Sequence, residues 1–128
     1  MDKVRFVLVG AGRAGMVHGR NLTNYIPEAE LVAIVDIDES RARQSAEEVG
    51  VKKYSTSLDD ILKKENIDAV CIGSLTFTHR EIVEKATAAG KHVFSEKPLA
   101  QNLEEAKKIK EVVNKTGIKF QIGFMRRY

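Results

Sequence analysis

The feature that most constrains this chain is a set of three spaced glycines directly after an apolar run near its amino terminus. Residues 4–9 are rich in β-branched and other apolar side chains, which is typical of a buried strand. Gly10, Gly12 and Gly15 follow in the spacing G-x-G-x-x-G. In a strand–turn–helix, these glycines allow a tight turn, a close ligand approach and close helix packing. The spacing predicts a turn that binds a pyrophosphate at a helix amino end.

The glycine spacing alone is a weak signal, since glycine-rich turns also form for backbone reasons, but its context strengthens it. A helix-compatible stretch follows from Ala14 to about Tyr25, and a second apolar strand, residues 29–35, ends in Asp36. An acid about 20 residues after the last glycine is where the adenosine ribose hydroxyls of a dinucleotide are bound. The residues predicted here to bind the cofactor are Gly10, Gly12, Arg13, Ala14, Asp36 and Ile37.

Composition limits the class of protein. The 128 residues suit one domain, with 43% apolar and 30% charged residues. The net charge of +3 comes from basic residues spread among nearly as many acids, so no nucleic-acid partner is expected. No apolar run is long enough for a membrane span, and no ligand spacing for a metal occurs. Cys71 has no disulfide partner and Met1 leads almost directly into the first strand, so we expect a cytoplasmic location.

Strand and helix patterns alternate along the whole chain. Strands are predicted at residues 4–9, 29–35, 51–54, 68–73, 91–95 and 118–122. Helices are predicted from 14 to about 25, 38 to 50, 57 to about 66, 78 to 90 and 102 to 117. This alternation predicts an α/β doubly wound parallel sheet, a Rossmann fold, with three layers (α/β/α) in a single domain of residues 1–128. Right-handed crossovers favour the strand order 3-2-1-4-5-6.

Unusual polar residues follow the predicted strand ends, and the opposite edge of the sheet carries nothing comparable. Ligands of open parallel sheets bind at the carboxyl ends of the strands. Lys97 lies between an acid and Pro98, which restricts the lysine to extended backbone. An ammonium there can hold a substrate oxygen during hydride transfer, although a surface lysine in a turn is the alternative. Ser74, Thr76 and His79 can reach the nicotinamide end of a cofactor, with helix capping as the alternative.

Several segments together resemble the amino-terminal domain of the Gfo/Idh/MocA family, the glucose–fructose oxidoreductase/inositol dehydrogenase family. The segments are residues 10–15, 35–36, 74–79, 89–98 and 123–128. The Gly-Lys-His-Val run before Glu96-Lys97-Pro98 and the final Gly-Phe-Met-Arg-Arg-Tyr are more specific than the glycine turn. The resemblance covers essentially the whole chain and is strongest to the inositol dehydrogenase members.

The resemblance implies NAD(P)-dependent oxidation of a secondary alcohol on a sugar or cyclic polyol. It implies that Lys97 is the catalytic lysine beside the reacting hydroxyl, and that it also touches the cofactor. It places Glu96, Ser74, Thr76 and His79 by the ribose and nicotinamide. Asp36 is expected to hold the adenosine ribose and to favour NAD over NADP. Leu75 stands where the family usually has proline.

The resemblance implies a second, mostly β domain that supplies the substrate pocket, and we expect that domain to be absent from these 128 residues. The resemblance therefore implies a cofactor-binding domain that binds NAD and meets a small polyol or sugar only with the second domain. We expect the isolated domain to be inactive or weakly active.

Two alternatives stay open at this point. One is a nucleotide-sensing module without catalysis, and the other is an assembly module that forms a homo-oligomer through uncovered apolar surface.

Overall fold

A computed structural model describes residues 3–12, 15–16, 19–20, 28–73, 79–96, 103–117 and 120–123. The strands are β1 (Val4–Val9), β2 (Ala29–Val35), β3 (Lys53–Ser55), β4 (Ala69–Ile72), β5 (His92–Glu96) and β6 (Phe120–Gly123). The numbered helices are α1 (Glu39–Val49), α2 (Leu58–Lys64), α3 (His79–Ala88) and α4 (Leu103–Thr116). Residues 15–16 and 19–20 are also helical, and we call this segment the turn helix.

The six strands form one parallel sheet in the order β3-β2-β1-β4-β5-β6, which confirms the predicted fold and strand order. The chain first winds outward from β1 to β3, then returns beside β1 and winds the other way. This reversal places a switch point between β1 and β4, and ligands of such sheets bind there. Val9 pairs with Val35 on one side and Ile72 on the other, so the carboxyl ends of the three central strands are level.

The third strand lies two residues later than predicted at its start because the preceding helix uses the backbone of Val51. Gly50 adopts a left-handed conformation with φ of 77° and ends α1. Gly50 N–H donates to Glu47 O at 3.3 Å, and Val51 N–H donates to Ala46 O at 2.8 Å. This pair of bonds is the Schellman arrangement, which satisfies the last helix carbonyls. Val51 therefore belongs to the cap, and the strand begins at Lys53.

The core occupies both faces of the sheet, as a three-layer structure requires. Val7 and Val9 pack in a cluster with residues of α2, α3 and α4. Leu8 lies in a second cluster with Met16 of the turn helix and Ala46 of α1. This split follows from the alternation of side chains along a strand. Of the helical segments that the structure describes, two therefore cover one face and three cover the other. None of the helices in the described ranges is long and apolar enough to cross a membrane.

Leu8→Ala tests the assignment of β1 as the centre of the core. The Leu8 side chain is fully buried, so its truncation leaves a cavity and should lower the free energy of unfolding by about 2–5 kcal/mol. Val4→Ala is the matched control on the same strand, because Val4 is 41% exposed and its truncation should cost much less. Urea denaturation of both variants measures the difference. Equal losses would contradict the buried position of Leu8.

Candidate functional site

The carboxyl edge of the sheet opens where the glycine turn leaves β1. Gly10 N–H donates to Val35 O at 2.8 Å, and Gly73 N–H donates to Val9 O at 2.8 Å. These two bonds extend the hydrogen-bond pattern of the parallel sheet by one residue beyond the strand ends, on both sides of β1. Gly10 then turns with φ of 98°, a conformation that side chains rarely tolerate. The turn is therefore held at the switch point between β2 and β4.

Three glycines pack backbone to backbone at this edge. A Cβ on Gly15 would stand 1.9 Å from Gly10 O, so no larger residue fits without displacing the turn. A Cβ on Gly73 would stand 2.5 Å from Gly15 Cα. The turn helix thus starts in direct contact with the ends of β1 and β4. Gly73 was predicted only as the end of the strand at residues 68–73, although a glycine that ends the strand beside the glycine turn is a signal for this close contact.

Gly12 differs from Gly15 and Gly73 because the described residues leave space where its side chain would stand. Among the described residues other than Gly12 and its chain neighbours, no heavy atom comes within 4 Å of where a Cβ on Gly12 would stand. Met16 N–H donates to Gly12 O at 2.9 Å, a helical bond that begins the turn helix. The site therefore combines an open backbone position with a helix amino end. The predicted contacts of Arg13 and Ala14 lie outside the described residues and stay predictions.

Asp36 is buried at the end of β2, with only 5% of the residue exposed. Ala11 N–H donates to Asp36 Oδ2 at 2.8 Å, and Asp38 N–H donates to Oδ1 at 2.9 Å. The Arg41 guanidinium, half-exposed on α1, places Nη1 3.7 Å from Oδ2. The buried charge is thus compensated by two backbone donors and one nearby cation.

Each oxygen of the Asp36 carboxylate retains acceptor capacity. A carboxylate oxygen offers about two lone-pair positions, and within the described residues each oxygen accepts one backbone N–H. One position on each oxygen can therefore accept a hydroxyl from a ligand. Ile37 follows with 92% of the residue exposed, which places an apolar side chain in solvent next to this carboxylate. The sequence could not reveal the Ala11 contact, because a backbone donor carries no residue-type signal.

The residues predicted for the other end of the site are only partly described. His79 is the first residue of α3, and Glu96 is the last residue of β5, paired with Gly123. Glu96 was predicted to follow this strand and instead ends it, and the predicted contacts of both residues stay predictions. Ser74, Thr76 and Lys97 lie outside the described residues, so their contacts stay predictions. No group of three potential metal ligands occurs in the described part of the chain.

The amino edge of the sheet was expected to carry no comparable polar residues, but charged residues also meet there. Arg5 N–H donates to Asp68 Oδ2 at 2.9 Å, and Arg5 Nε donates to Asn66 O at 2.6 Å. Arg5 Nη1 reaches Glu30 Oε1 at 3.1 Å. Each of these bonds joins neighbouring strands or the loop that leads into one. The cluster therefore fastens β1 to β2 and β4, whereas the open space above Gly12 lies at the carboxyl edge.

The strand order and the glycine turn at the switch point define a Rossmann-type nucleotide-binding domain. Residues 4–124 match the family GFO_IDH_MocA, described as an oxidoreductase family with an NAD-binding Rossmann fold. The chain belongs to this family. The resemblance read from the sequence motifs is thereby confirmed.

Relatives of known activity cover nearly all of this chain. Scyllo-inositol 2-dehydrogenase (NAD(+)) of Bacillus subtilis is 43% identical over 126 residues, which are 98% of this chain and 37% of that protein. Myo-inositol 2-dehydrogenase from Lactobacillus plantarum superposes with a TM-score of 0.90 at 37% identity, over 99% of this chain and 38% of that one. The Lactobacillus casei scyllo-inositol dehydrogenase with bound NAD(H) and scyllo-inositol superposes with a TM-score of 0.88 at 33% identity, over 95% of this chain and 36% of that one. The chain thus spans little more than a third of these relatives.

Gly15→Ala and Gly12→Ala form a matched pair that tests the packing of the turn. Alanine at position 15 would clash with Gly10 O, so the free energy of unfolding should fall by about 1–3 kcal/mol or more. Alanine at position 12 enters open space and should change stability by roughly 0.5 kcal/mol or less. Thermal or urea denaturation of the ligand-free variants gives both values. Similar losses for the two would contradict the close glycine contact.

Proposed function

We propose that this chain is the cofactor-binding part of an NAD-dependent oxidoreductase that oxidises a secondary alcohol of a cyclic polyol or sugar. The observation that carries the proposal is that Gly12 and Asp36 lie close together at the carboxyl edge of the sheet. In the described part of the chain, an open backbone position at a helix amino end stands beside a buried carboxylate that has an unused lone pair on each oxygen. A diphosphate suits the first group, and two adjacent sugar hydroxyls suit the second.

The adenosine half of the cofactor is assigned to the β1–β2 side. The diphosphate would lie over Gly12, where a larger residue would occupy its space. The ribose hydroxyls would donate to the Asp36 carboxylate, and the adenine would cover part of the exposed Ile37 side chain. Burial of this apolar surface adds a contact that does not depend on charge.

The charge at Asp36 favours NAD over NADP. A 2′-phosphate in place of the 2′-hydroxyl would bring negative charge against the buried carboxylate and remove the hydroxyl donor. Arg41 provides a positive charge nearby, but its guanidinium already faces Asp36 Oδ2 at 3.7 Å. We infer that Asp36 determines the preference while Arg41 reduces its strength.

The reacting end of the site is assigned to the β4–β5 side. Three strand spacings separate β2 from β5, about 14 Å at the usual distance between neighbouring strands, and an extended dinucleotide can cross this span. Glu96 ends β5, and Lys97 follows it in the sequence. Ser74, Thr76 and His79 follow β4 in the sequence and are proposed to contact the nicotinamide half.

Lys97 is proposed to act on the substrate hydroxyl. Nicotinamide supplies the hydride acceptor when it is bound. Lys97 would hold the hydroxyl oxygen and stabilise the charge that develops on it as the C–H bond breaks, and the hydroxyl proton would leave to a base supplied by the second domain. The polyol class is supported by the inositol dehydrogenases among the relatives. We propose that a second domain supplies the substrate pocket and that the present residues alone turn over slowly or not at all.

Calorimetric titration with NAD⁺ tests the nucleotide site directly. The parent chain should bind NAD⁺ more tightly than NADP⁺, whereas Gly12→Val should weaken NAD⁺ by at least about tenfold because its side chain fills the diphosphate position. Val4→Ala, far from this edge, should bind as the parent does. Unchanged affinity in Gly12→Val would refute the assignment of the diphosphate to this turn.

Lys97→Ala tests the catalytic assignment in a polypeptide that carries this chain together with its substrate domain. Loss of the amine should reduce kcat for a cyclic polyol by about 10²-fold or more, since the group acts on the reacting hydroxyl. The Kd for NAD⁺ should change far less. Steady-state assays with myo- and scyllo-inositol and a parallel NAD⁺ titration measure the two effects. A normal kcat in the variant would remove Lys97 from the mechanism.

A further inference from the structure

We propose that Asp36 is a positioning residue for the diphosphate-binding turn, in addition to contacting the ribose. The proposal rests on the nucleotide site described above. Ala11 lies between Gly10 and Gly12, and its buried N–H donates to Asp36 Oδ2 at 2.8 Å across 25 positions of sequence. The carboxylate that would hold the sugar therefore also holds the backbone that would hold the diphosphate.

Two consecutive amides fasten the turn to β2 and its end. Gly10 N–H donates to the backbone of Val35, and Ala11 N–H donates to the side chain of Asp36. The first bond survives any side-chain substitution, but the second requires an acceptor at position 36. Without it, the Ala11 donor would be left buried and unpaired, and the backbone would have to move to find water or another acceptor. Gly12, the next residue, would move with it.

The Asp36 carboxylate is itself fixed from its other side. Asp38 N–H donates to Oδ1 at 2.9 Å, and Asp38 caps α1 by accepting from Arg41 N–H at 3.2 Å. The contacts thus run from the start of α1 through Asp36 to Ala11 and Gly12. The charged groups that face Oδ2 are limited, within the described residues, to the Arg41 guanidinium at 3.7 Å. The position of the Ala11–Gly12 backbone and the charge beside it therefore both depend on the Asp36 carboxylate.

A ligand pair separates the two roles of Asp36. ADP and 2′,3′-dideoxyadenosine 5′-diphosphate share base and diphosphate, but the second lacks both hydroxyls that Asp36 would bind. In the parent, ADP should bind more tightly than the dideoxy compound. If Asp36 acted only on the ribose, Asp36→Ala would lower the affinity for ADP to the dideoxy level and leave the dideoxy compound unchanged or tighter. The positioning role predicts that Asp36→Ala also weakens the dideoxy compound, by about tenfold.

Asp38→Asn is the matched control, because it removes one negative charge two residues away and keeps a side chain that can cap α1. It should leave the affinity for the dideoxy compound equal or slightly higher. Asp36→Asn should give an intermediate loss, since one amide oxygen can serve only one of the two backbone donors at a time. NMR titration measures affinities in the millimolar range, and circular dichroism verifies that each variant is folded.

Hydrogen exchange provides a second readout that does not depend on the alanine variant. The Ala11 amide should be protected in the ligand-free parent and should exchange at least about tenfold faster in Asp36→Ala and less so in Asp36→Asn, while the Gly10 amide stays protected. Unchanged dideoxy affinity in both folded Asp36 variants, or unchanged Ala11 exchange, would overturn the positioning role. Failure of the parent to bind ADP would instead refute the nucleotide site itself.

Discussion

A buried hydrogen bond from a backbone amide to a carboxylate organises the carboxyl edge of this sheet. Ala11 N–H and Asp36 Oδ2 belong to two turns that are distant in sequence, and their contact fixes both. A buried carboxylate costs free energy unless donors surround it, and here two backbone donors and a nearby guanidinium do so. Within the described residues, the same arrangement leaves one lone pair on each oxygen. We propose that a ligand uses these positions, so that structural support and ligand recognition would depend on the same side chain.

Close backbone packing supplies the second constraint on the edge. Gly15 and Gly73 touch because neither has a Cβ, and this brings the start of the turn helix against β1 and β4. Gly12, in contrast, meets no described atom within 4 Å of its Cβ position apart from its chain neighbours, and we propose that its lack of a side chain serves an approaching group. Glycines of one motif thus have different physical roles. Among Gly12, Gly15 and Gly73, the two that pack closely should therefore contribute more to the stability of the ligand-free chain than Gly12 does.

Much of the fold was predictable because periodicity and turn chemistry are local properties of the sequence. The apolar run of β1, Ser57 at the start of α2 and Gly50 at the end of α1 all form the structures that their patterns predict. The strand order followed from the handedness of crossovers. The start of β3 was not predictable, because the Schellman bonds at Gly50 take Val51 into the helix cap.

The site was less predictable from the sequence than the fold. Gly10, Gly12 and Asp36 were predicted as binding residues from their residue types and spacing, and the structure brings them to one edge, while their binding roles stay predictions. The close contact of Gly73 and the amide of Ala11 were missed, since close backbone approach and backbone donors depend on three-dimensional neighbours. The roles of Lys97, Ser74 and Thr76 stay predictions that rest on the family motif and their order after the strands.

The central claim is that a dinucleotide lies along the carboxyl edge, across Gly12 and Asp36. Amide chemical shifts recorded during addition of NAD⁺ to this chain test it most directly. The claim predicts that the amides of Ala11, Gly12 and Asp38 shift, while those of Arg5 and Asp68 at the amino edge stay in place. Shifts centred on Arg5 and Asp68, or none at millimolar NAD⁺, would contradict it.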